Sequence, residues 1–381
     1  MKNTILFDGR LILEKPTGIG RYITSLLPEM VQQEPDWHFY LLRRPEPWPG
    51  YEVEAWMAPN LTHYTSRVPH MSPRQHLWLP RLARELKADL LHYPHFDAPV
   101  LWQTVPVVVT LHDTKYLVRP DFFTRLRGLK RWYMRFFFDQ SVRRAAAVIT
   151  VSQRTAMDVN RLFQVPLSKI DVIREAASSQ FQPAPVEAVR AFRASFGLPR
   201  PFILTVGERR PHKNHAGLVR AYAQSSGRQT HDLVIIGEGY EDYSAPEALA
   251  RRLGLEKRVH FLGAVSAPDL IAAYTAADLF VLVSLYEGFG LPILEAMACN
   301  TPVIASSTTA AAEVVGAGGL TVNPENEDAV ARTMDEVLGN AQKRKQMIAR
   351  ARAWCKSFTW QRAAAETVAV YRKVMRNSCR P

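Results

Sequence analysis

Short apolar runs alternate with longer amphipathic segments along the whole chain. The apolar runs have the length of buried strands, and the segments between them have the spacing of helices. Strands that alternate with helices indicate parallel sheets built from strand–helix–strand units, so the pattern predicts an α/β protein. The predicted strands are Thr4–Phe7, His38–Leu42, Leu90–Tyr93, Val105–Leu111, Val148–Val151, Ile170–Ile173, Phe202–Val206, Leu233–Ile236, Val259–Leu262, Leu279–Val283, Val303–Ala305 and Leu320–Val322.

The alternation pauses between Ser178 and Pro201, where prolines cluster as in a linker between domains. A chain of 381 residues is too long for one small core, so two domains are expected. We predict two doubly wound, Rossmann-like domains at residues 1–177 and 178–357. Ligands of such sheets bind outside the carboxyl ends of the strands.

Composition and charge narrow the class of protein. The chain has 47% hydrophobic and 22% charged residues, as soluble globular proteins do, and no apolar run approaches the length of a membrane span. Its first residues do not resemble a signal peptide, and Cys299, Cys355 and Cys379 lack metal or redox spacing, so we expect a cytoplasmic protein. The net charge of +12 favours an anionic membrane face or phosphorylated ligands. We expect no nucleic-acid partner, because the sequence has no nucleic-acid-binding motif.

The segment SLYEGFGLPILEAMACNTPVIAS, residues 284–306, carries the most informative chemistry. It predicts a strand end, a glycine-bearing loop and a helix with Pro292 in its first turn. A helix start is an anion site, and glycines let the backbone approach a ligand closely. Glu287 and Glu295 flank that site. Such a pocket suits a sugar joined to a diphosphate, although an ordinary strand–loop–helix unit with two solvated glutamates is the alternative.

The same segment resembles the signature of family 4 glycosyltransferases of the group 1 type, which have the GT-B fold. The members it resembles are bacterial mannosyl- or rhamnosyl-type transferases of polysaccharide assembly. The resemblance implies two Rossmann-like domains that face a central cleft, with the donor mainly on the C-terminal domain and the acceptor mainly on the N-terminal one. It also implies that a helix at 358–381 returns to the first domain.

A basic loop follows the first predicted strand of the second domain, in FILTVGERRPHKN. Arginine can hold phosphate oxygens through two parallel bonds, and lysine acts as a point charge. The resemblance assigns Lys213 and an arginine to the donor diphosphate. Because Glu208 stands where the family often has that arginine, Arg209, Arg210 or His212 would supply the second cation. A solvated basic loop is the alternative.

Histidines follow two predicted strands of the first domain. His112 comes directly after the strand that ends at Leu111, and the resemblance places it against the donor sugar or its phosphate. Asp113 either orients the imidazole or only begins the loop. His92 and His95 either line the acceptor side or are structural.

The resemblance also assigns glycine loops and the residues of the helix start to the donor. Glycines of the TGIGRY segment would approach the donor phosphates, and those of the IGEGYED segment would shape the nucleotide pocket. The predicted catalytic residues are His112, Glu287, Lys213 and Arg209. The predicted donor-binding residues are Gly18, Gly20, Gly207, Arg210, Lys213, Gly237, Gly239, Glu287, Gly288, Phe289, Gly290, Leu291 and Glu295.

We predict no metal site and no cofactor, since the nucleotide-sugar is a substrate. The sequence lacks the D-x-D motif with which the other large glycosyltransferase fold holds a divalent ion. Cationic side chains and helix starts would neutralise the diphosphate instead.

The segment Lys115–Arg144 mixes arginines, among them Arg125 and Arg127, with aromatic residues. A basic, aromatic segment can lie on an anionic leaflet. We therefore expect either peripheral contact with the inner membrane surface, or a core helix at Trp132–Phe138 with its arginines in water.

The resemblance to family 4 implies a retaining glycosyltransferase. The donor would be a nucleotide-sugar, with GDP-mannose or a related GDP-sugar favoured. The acceptor would be a saccharide or lipid-linked saccharide of O-antigen or exopolysaccharide synthesis. The alternatives are a nucleotide-sugar epimerase or a phosphorylase on the same fold, and a catalytically silent subunit of a polysaccharide assembly complex.

Overall fold

The computed structural model describes residues 3–13, 17–45, 57–123, 128–240 and 243–378. It divides into two compact units. The first unit contains residues 1–175 and 359–381, and the second contains residues 176–358. Three residues considered in the sequence, Arg125, Arg127 and Cys379, lie outside the described part.

The first unit is built on a parallel sheet in the strand order β3-β2-β1-β4-β5-β6-β7. Its strands are β1 (Thr4–Asp8), β2 (His38–Arg43), β3 (Leu61–Thr65), β4 (Leu90–Tyr93), β5 (Val107–Leu111), β6 (Ala147–Thr150) and β7 (Ile170–Val172). Strand β3 was not predicted. It lies at the sheet edge and none of its residues is buried, so it lacks the continuous apolar run by which the central strands were recognised.

Helices cover the sheet of the first unit. They are α1 (Gly18–Gln33), α2 (Gln75–Glu85), α3 (Lys115–Val118), α4 (Gly128–Arg144), α5 (Gln153–Phe163) and, from the far end of the chain, α14 (Trp360–Ser378). Ser152 is the N-cap of helix α5, because its hydroxyl oxygen accepts a hydrogen bond from the backbone N–H of Thr155 at 3.1 Å.

Helix α14 packs on helix α1 of the first unit. The hydroxyl of the buried Tyr371 bonds Nδ1 of His92 beneath it, while Arg372 binds Glu34 at 2.6 Å at the rim. His92 is fully buried, and its Nε2 bonds the hydroxyl of Thr110 at 2.8 Å. Burial lowers the pKa of His92 to about 3, with a smaller contribution from His112, so the ring is neutral. His92 is therefore a core residue that fixes helix α14 and does not line an open acceptor side.

The second unit is built on a parallel sheet in the order β10-β9-β8-β11-β12-β13. Its strands are β8 (Phe202–Val206), β9 (Asp232–Ile236), β10 (Val259–Leu262), β11 (Leu279–Leu282), β12 (Val303–Ser306) and β13 (Leu320–Val322). Its helices are α6 (Val186–Ser195), α7 (His215–Gln224), α8 (Ala245–Arg252), α9 (Ala267–Ala276), α10 (Leu291–Ala298), α11 (Ala311–Val315), α12 (Glu327–Leu338) and α13 (Ala341–Cys355). The predicted α/β class, with parallel sheets and helices, is confirmed.

The predicted linker at 178–201 is not an extended connection, because helix α6 occupies its centre and packs on helix α9. Phe192 is the buried residue of this helix, so the sequence shows little helical periodicity there. In the sheet of the second unit, β8 has β9 on one side and β11 on the other. The chain changes winding direction at that point, which is where doubly wound sheets bind ligands. Within the described residues, the helices are too short or too polar to cross a membrane.

Candidate active site

An ion pair joins the two loops that leave β8 and β11 at the switch point of the second unit. The ammonium of Lys213 lies 2.8 Å from Oε1 of Glu287, and the hydroxyl of Ser284 donates to the same oxygen at 2.6 Å. The Glu287 side chain is 10% exposed and that of Lys213 is 19% exposed. The structure thus brings together two residues that the sequence places 74 positions apart.

The backbone around Lys213 explains how this ammonium reaches the second loop. Residues Pro211–Lys213 form a 3-10 turn, and Asn214 then adopts a left-handed conformation with φ of 57° at the start of helix α7. The amide of Asn214 donates to the carbonyls of Val283 and Pro324 at 3.1 and 3.0 Å. The side chain of Asn214 thereby fastens the basic loop to the end of β11.

The helix predicted after the second loop is α10. Gly290 is its N-cap residue and has a φ of 109°. Residues other than glycine rarely adopt this backbone conformation. Leu291 is its first residue and Pro292 its second, so the positive end of the helix points back to the loop that carries Glu287 and Gly288.

Two residues of this signature are in the core. Phe289 is 5% exposed, and its ring contacts the ring of Phe358. Glu295 is 2% exposed, and its Oε2 accepts a hydrogen bond from the hydroxyl of Tyr274 at 2.8 Å. Tyr274, on helix α9, orients Glu295 and was missed by sequence reasoning, because nothing in the sequence distinguishes it from an ordinary core tyrosine.

The structure separates the two candidate arginines. Arg209 forms an ion pair with Glu247 at 2.7 Å, donates to the carbonyl of Gly237 and lies over the ring of Phe261. These contacts hold the guanidinium inside the unit, across the ends of three strands. A donor that bound Arg209 would have to displace these partners, and the catalytic role of Arg209 stays a prediction.

Arg210 is the better placed cation. Its side chain is 24% exposed, against 13% for Arg209. Its guanidinium binds both oxygens of Glu208, at 2.6 and 3.1 Å, and lies 3.6 Å from the centre of the Tyr240 ring. Glu208, which stands where the resemblance leads one to expect arginine, thus holds Arg210 in a fixed orientation. His212, the third candidate, is 5% exposed.

Among the predicted glycines of the second unit, Gly237 packs where another residue would not fit. Gly207 and Gly237 have φ of 154° and 147°. A Cβ on Gly237 would lie 2.1 Å from the carbonyl oxygen of Gly207, and one on Gly239 would lie 3.3 Å from Nη2 of Arg209. The close approach of the loops after β8 and β9 therefore requires glycine at position 237.

The glycines of the first unit are placed differently from the prediction. Gly18 and Gly20 lie in the first turn of helix α1, with Thr17 as its N-cap, and not in a loop. The oxygen of Thr17 accepts from the N–H of Gly20 at 3.0 Å. A Cβ on Gly18 would meet nothing within 4 Å, so close packing does not explain glycine at this position.

The first unit also places His112 directly after β5. Its Nδ1 lies 3.0 Å from Oε1 of Glu175, a buried carboxylate that sequence reasoning missed. Asp113 instead binds Lys115 through both of its oxygens, at 3.1 and 2.7 Å. The carboxylate that contacts His112 therefore comes from a later strand end and not from the neighbouring residue.

Three potential metal ligands cluster elsewhere in the first unit. Atoms of His70, His95 and Asp97 lie within 4.8 Å of one another. Hydrogen bonds already connect them, because His95 bonds Asp97 at 2.6 Å and His70 bonds the hydroxyl of Tyr93 at 2.9 Å. Gln75 donates to Asp97 at 2.7 Å. The cluster forms a hydrogen-bonded polar network, and the prediction of a metal-free donor site stays a prediction.

Family models match both units of this chain. The model described as Glycosyltransferase Family 4 matches residues 16–177, and the model described as Glycosyl transferases group 1 matches residues 190–354. The O-antigen chain mannosyltransferase B of Escherichia coli is 32% identical over 306 residues, which cover 79% of this chain and 78% of that protein.

The chain belongs to glycosyltransferase family 4, group 1.

Another relative and a solved structure agree with this assignment. The serotype-specific mannosyltransferase WbdA of Escherichia coli is 28% identical over 289 residues, which cover 73% of this chain and only 34% of that longer protein. Anabaena Alr3699/HepE, solved in complex with UDP and glucose, superposes with a TM-score of 0.78 at 21% identity and covers 97% of this chain and 100% of its own. This family 4 glycosyltransferase therefore has the predicted GT-B fold class.

We predict that Gly237→Ala destabilises the second unit of this glycosyltransferase by about 2–4 kcal/mol, as backbone strain and overpacking combine. The new Cβ would meet the Gly207 carbonyl, which cannot move without displacing the loop after β8. Thermal unfolding of the full chain measures the effect. Gly263→Ala is the matched control, because its Cβ would meet nothing within 4 Å. Equal melting temperatures for the two variants would contradict the packing argument.

Proposed function

We propose that this glycosyltransferase transfers mannose from GDP-mannose to a growing saccharide chain, free or lipid-linked, of the O-antigen or exopolysaccharide type. The names of two relatives, O-antigen chain mannosyltransferase B and the mannosyltransferase WbdA, support the choice of sugar and of acceptor. The reaction would take place in the cytoplasm or at the cytoplasmic face of the membrane.

The observation that carries the proposal is the pairing of Lys213 with Glu287 beside the start of helix α10. The donor diphosphate would bind Lys213 and the helix start, with Arg210 as the second cation. Glu295, held by Tyr274, would accept hydrogen bonds from the ribose, and Glu287 from the sugar. Cations, a helix start and two carboxylates form a site complementary to both halves of a nucleotide-sugar.

We propose transfer with retention of the anomeric configuration. The bond from sugar C1 to the β-phosphate oxygen breaks, and negative charge grows on the diphosphate, where Lys213 and the helix N–H groups stabilise it. The acceptor oxygen then bonds C1 from the same face. Its proton passes to a phosphate oxygen, and GDP leaves. No side chain acts as the base, and no metal ion takes part in this scheme.

A donor panel tests the function. Purified protein is incubated with a mannose-terminated acceptor and with GDP-mannose, UDP-glucose or dTDP-rhamnose, in the presence of EDTA. We expect mannose transfer from GDP-mannose alone, and an α-linkage by proton NMR, the configuration of the donor. GDP-mannose should also raise the melting temperature most, since a ligand at a hundredfold excess over its Kd adds about 2.7 kcal/mol. Transfer from a different donor would refute the assignment of GDP-mannose. Inversion would refute retention, and loss of transfer in EDTA would refute a scheme without a metal ion.

Lys213→Ala should leave a folded protein with about 100- to 1,000-fold lower transfer, because one preorganised charge that stabilises the leaving group is lost. Glu287→Ala should likewise remove most activity. The matched control is Lys257→Ala, which removes the same charge from an exposed position of the second unit. Turnover near that of the wild type in Lys213→Ala would exclude the role given to Lys213.

We also propose that helix α4 contacts an anionic membrane surface. Met134, Phe138 and Val142 bury one side of the helix, which agrees with the core alternative for that side. The opposite side exposes Leu129 by 80% and Trp132 by 60%. Cationic and apolar side chains are exposed together around the first turns of the helix, where Leu129, Lys130, Arg131, Trp132 and Arg135 are exposed and Phe136 is half-buried. Basic and aromatic side chains that lie close together are typical of segments that bind anionic lipid.

Sedimentation with lipid vesicles tests this contact. The protein should bind phosphatidylglycerol vesicles and not phosphatidylcholine ones, and high salt should release it. Arg131→Gln should weaken binding about fivefold, since one cation near the surface contributes about 1 kcal/mol. Trp132→Ser should weaken it too, whereas Leu253→Ser, at an exposed position of the second unit, should not. Binding unchanged by both helix α4 variants would disprove the contact.

A further inference from the structure

His112 has one ring nitrogen bound and one without a partner. Its Nδ1 lies 3.0 Å from Oε1 of Glu175. Its Nε2 is buried and has no hydrogen-bond partner among the described residues. A buried polar atom normally has a partner, so an unbonded one at the carboxyl end of a strand indicates a position that a ligand completes.

Glu175 reaches His112 from a different strand end. It follows β7, whereas His112 follows β5, and β6 lies between the two strands. The carboxylate thus extends over the end of β6 to meet the imidazole. Glu175 is only 4% exposed, and a carboxylate so far from water needs a hydrogen-bond donor. The Nδ1–H group of His112 supplies that donor.

The contact determines where the ring proton resides. An ionised carboxylate only accepts hydrogen bonds, so the nitrogen that faces Glu175 must carry the proton. In the neutral form of the ring, Nε2 is then a hydrogen-bond acceptor. A hydroxyl is the substrate group that can donate to such a nitrogen, whereas a phosphate oxygen cannot.

The surroundings hold the ring in place. The Tyr22 ring meets His112 edge-on, with centroids 4.7 Å apart and an interplanar angle of 82°. Tyr22 in turn bonds Thr110 at 3.0 Å, and Thr110 bonds the neutral His92. Burial, with a smaller contribution from the charge of Glu175, raises the pKa of Tyr22, so this phenol stays protonated. Tyr22 and His92 therefore add no charge beside the imidazole.

We propose that Glu175 is a positioning residue of the transfer reaction. It keeps the proton of His112 on Nδ1 and so presents Nε2 as a hydrogen-bond acceptor to a hydroxyl of a substrate saccharide. The assignment of the sugar rests on the proposed function, whereas the assignment of the proton rests on the structure of the first unit alone.

NMR of the full chain tests the position of the proton. Histidine ring nitrogens are labelled with ¹⁵N, and the His112→Gln variant identifies the His112 signals. At pH 8 the wild type should show a protonated Nδ1 and an unprotonated Nε2. Glu175→Met, which keeps the length of the side chain but removes the acceptor, should shift His112 toward the other tautomer. An unchanged His112 spectrum in Glu175→Met, or a wild type protonated at Nε2, overturns the proposal.

Kinetics test whether Glu175 acts through His112. Glu175→Met should lower kcat about 10- to 100-fold, the range in which a misplaced catalytic group lowers a rate, with a smaller change in KM. Glu175→Gln keeps an acceptor oxygen and should retain more activity than Glu175→Met. In the His112→Ala background, Glu175→Met should cause no further loss.

The controls separate this inference from the proposed function. Glu34→Met removes a carboxylate that binds Arg372 elsewhere in the first unit, and should change neither the His112 spectrum nor the rate. Multiplicative losses in the double variant overturn the positioning role. If no donor supports transfer but the NMR result is as expected, the proposed function fails and the assignment of the ring proton stands.

Discussion

The second unit depends on a charge pair that ties two loops together. Lys213 and Glu287 leave adjacent strands, and each is too buried to be left alone in an apolar environment. Removing one partner of such a pair lowers the free energy of unfolding by more than the intact pair adds to it, because the remaining buried charge then has no opposite charge beside it. The same requirement makes the pair responsive to a ligand. A diphosphate can take over the ammonium only if the carboxylate finds new donors at the same time, and sugar hydroxyls are such donors.

The pairing of acids with cations extends around the basic loop. Glu208 compensates Arg210 and Glu247 compensates Arg209, so the arginines of this loop are not an open cationic surface. The excess of positive charge in the composition indicated phosphorylated ligands, yet it could not indicate which cation is available. The two arginines differ in side-chain exposure and in the residues that they contact. Their exposure and contacts depend on segments of the chain that are distant in sequence.

The sequence could predict what is local or continuous. Strands such as β5 and β11 are buried on both faces and read as unbroken apolar runs. The glycine-bearing loop and the helix start at Gly290 could also be predicted, because their conformation depends on residues that are neighbours in the sequence. The half-exposed β3 and the helix α6, with one buried residue, gave no such signal. Glu175 and Tyr274 could not be found, because strand order and helix packing bring them to His112 and Glu295.

Helix α14 has a consequence for how the protein is made. The first unit contains residues that precede the second unit in the sequence and residues that follow it. The strands of its sheet are therefore translated early, whereas helix α14, which packs on α1, is translated only after residue 358. The second unit is one continuous stretch, so all of its residues leave the ribosome before helix α14 does. Until α14 arrives, His92 lacks the tyrosine hydroxyl that it bonds in the finished protein, and the side of α1 that contacts α14 is uncovered. Nascent chains halted before this helix should therefore be the ones that molecular chaperones retain.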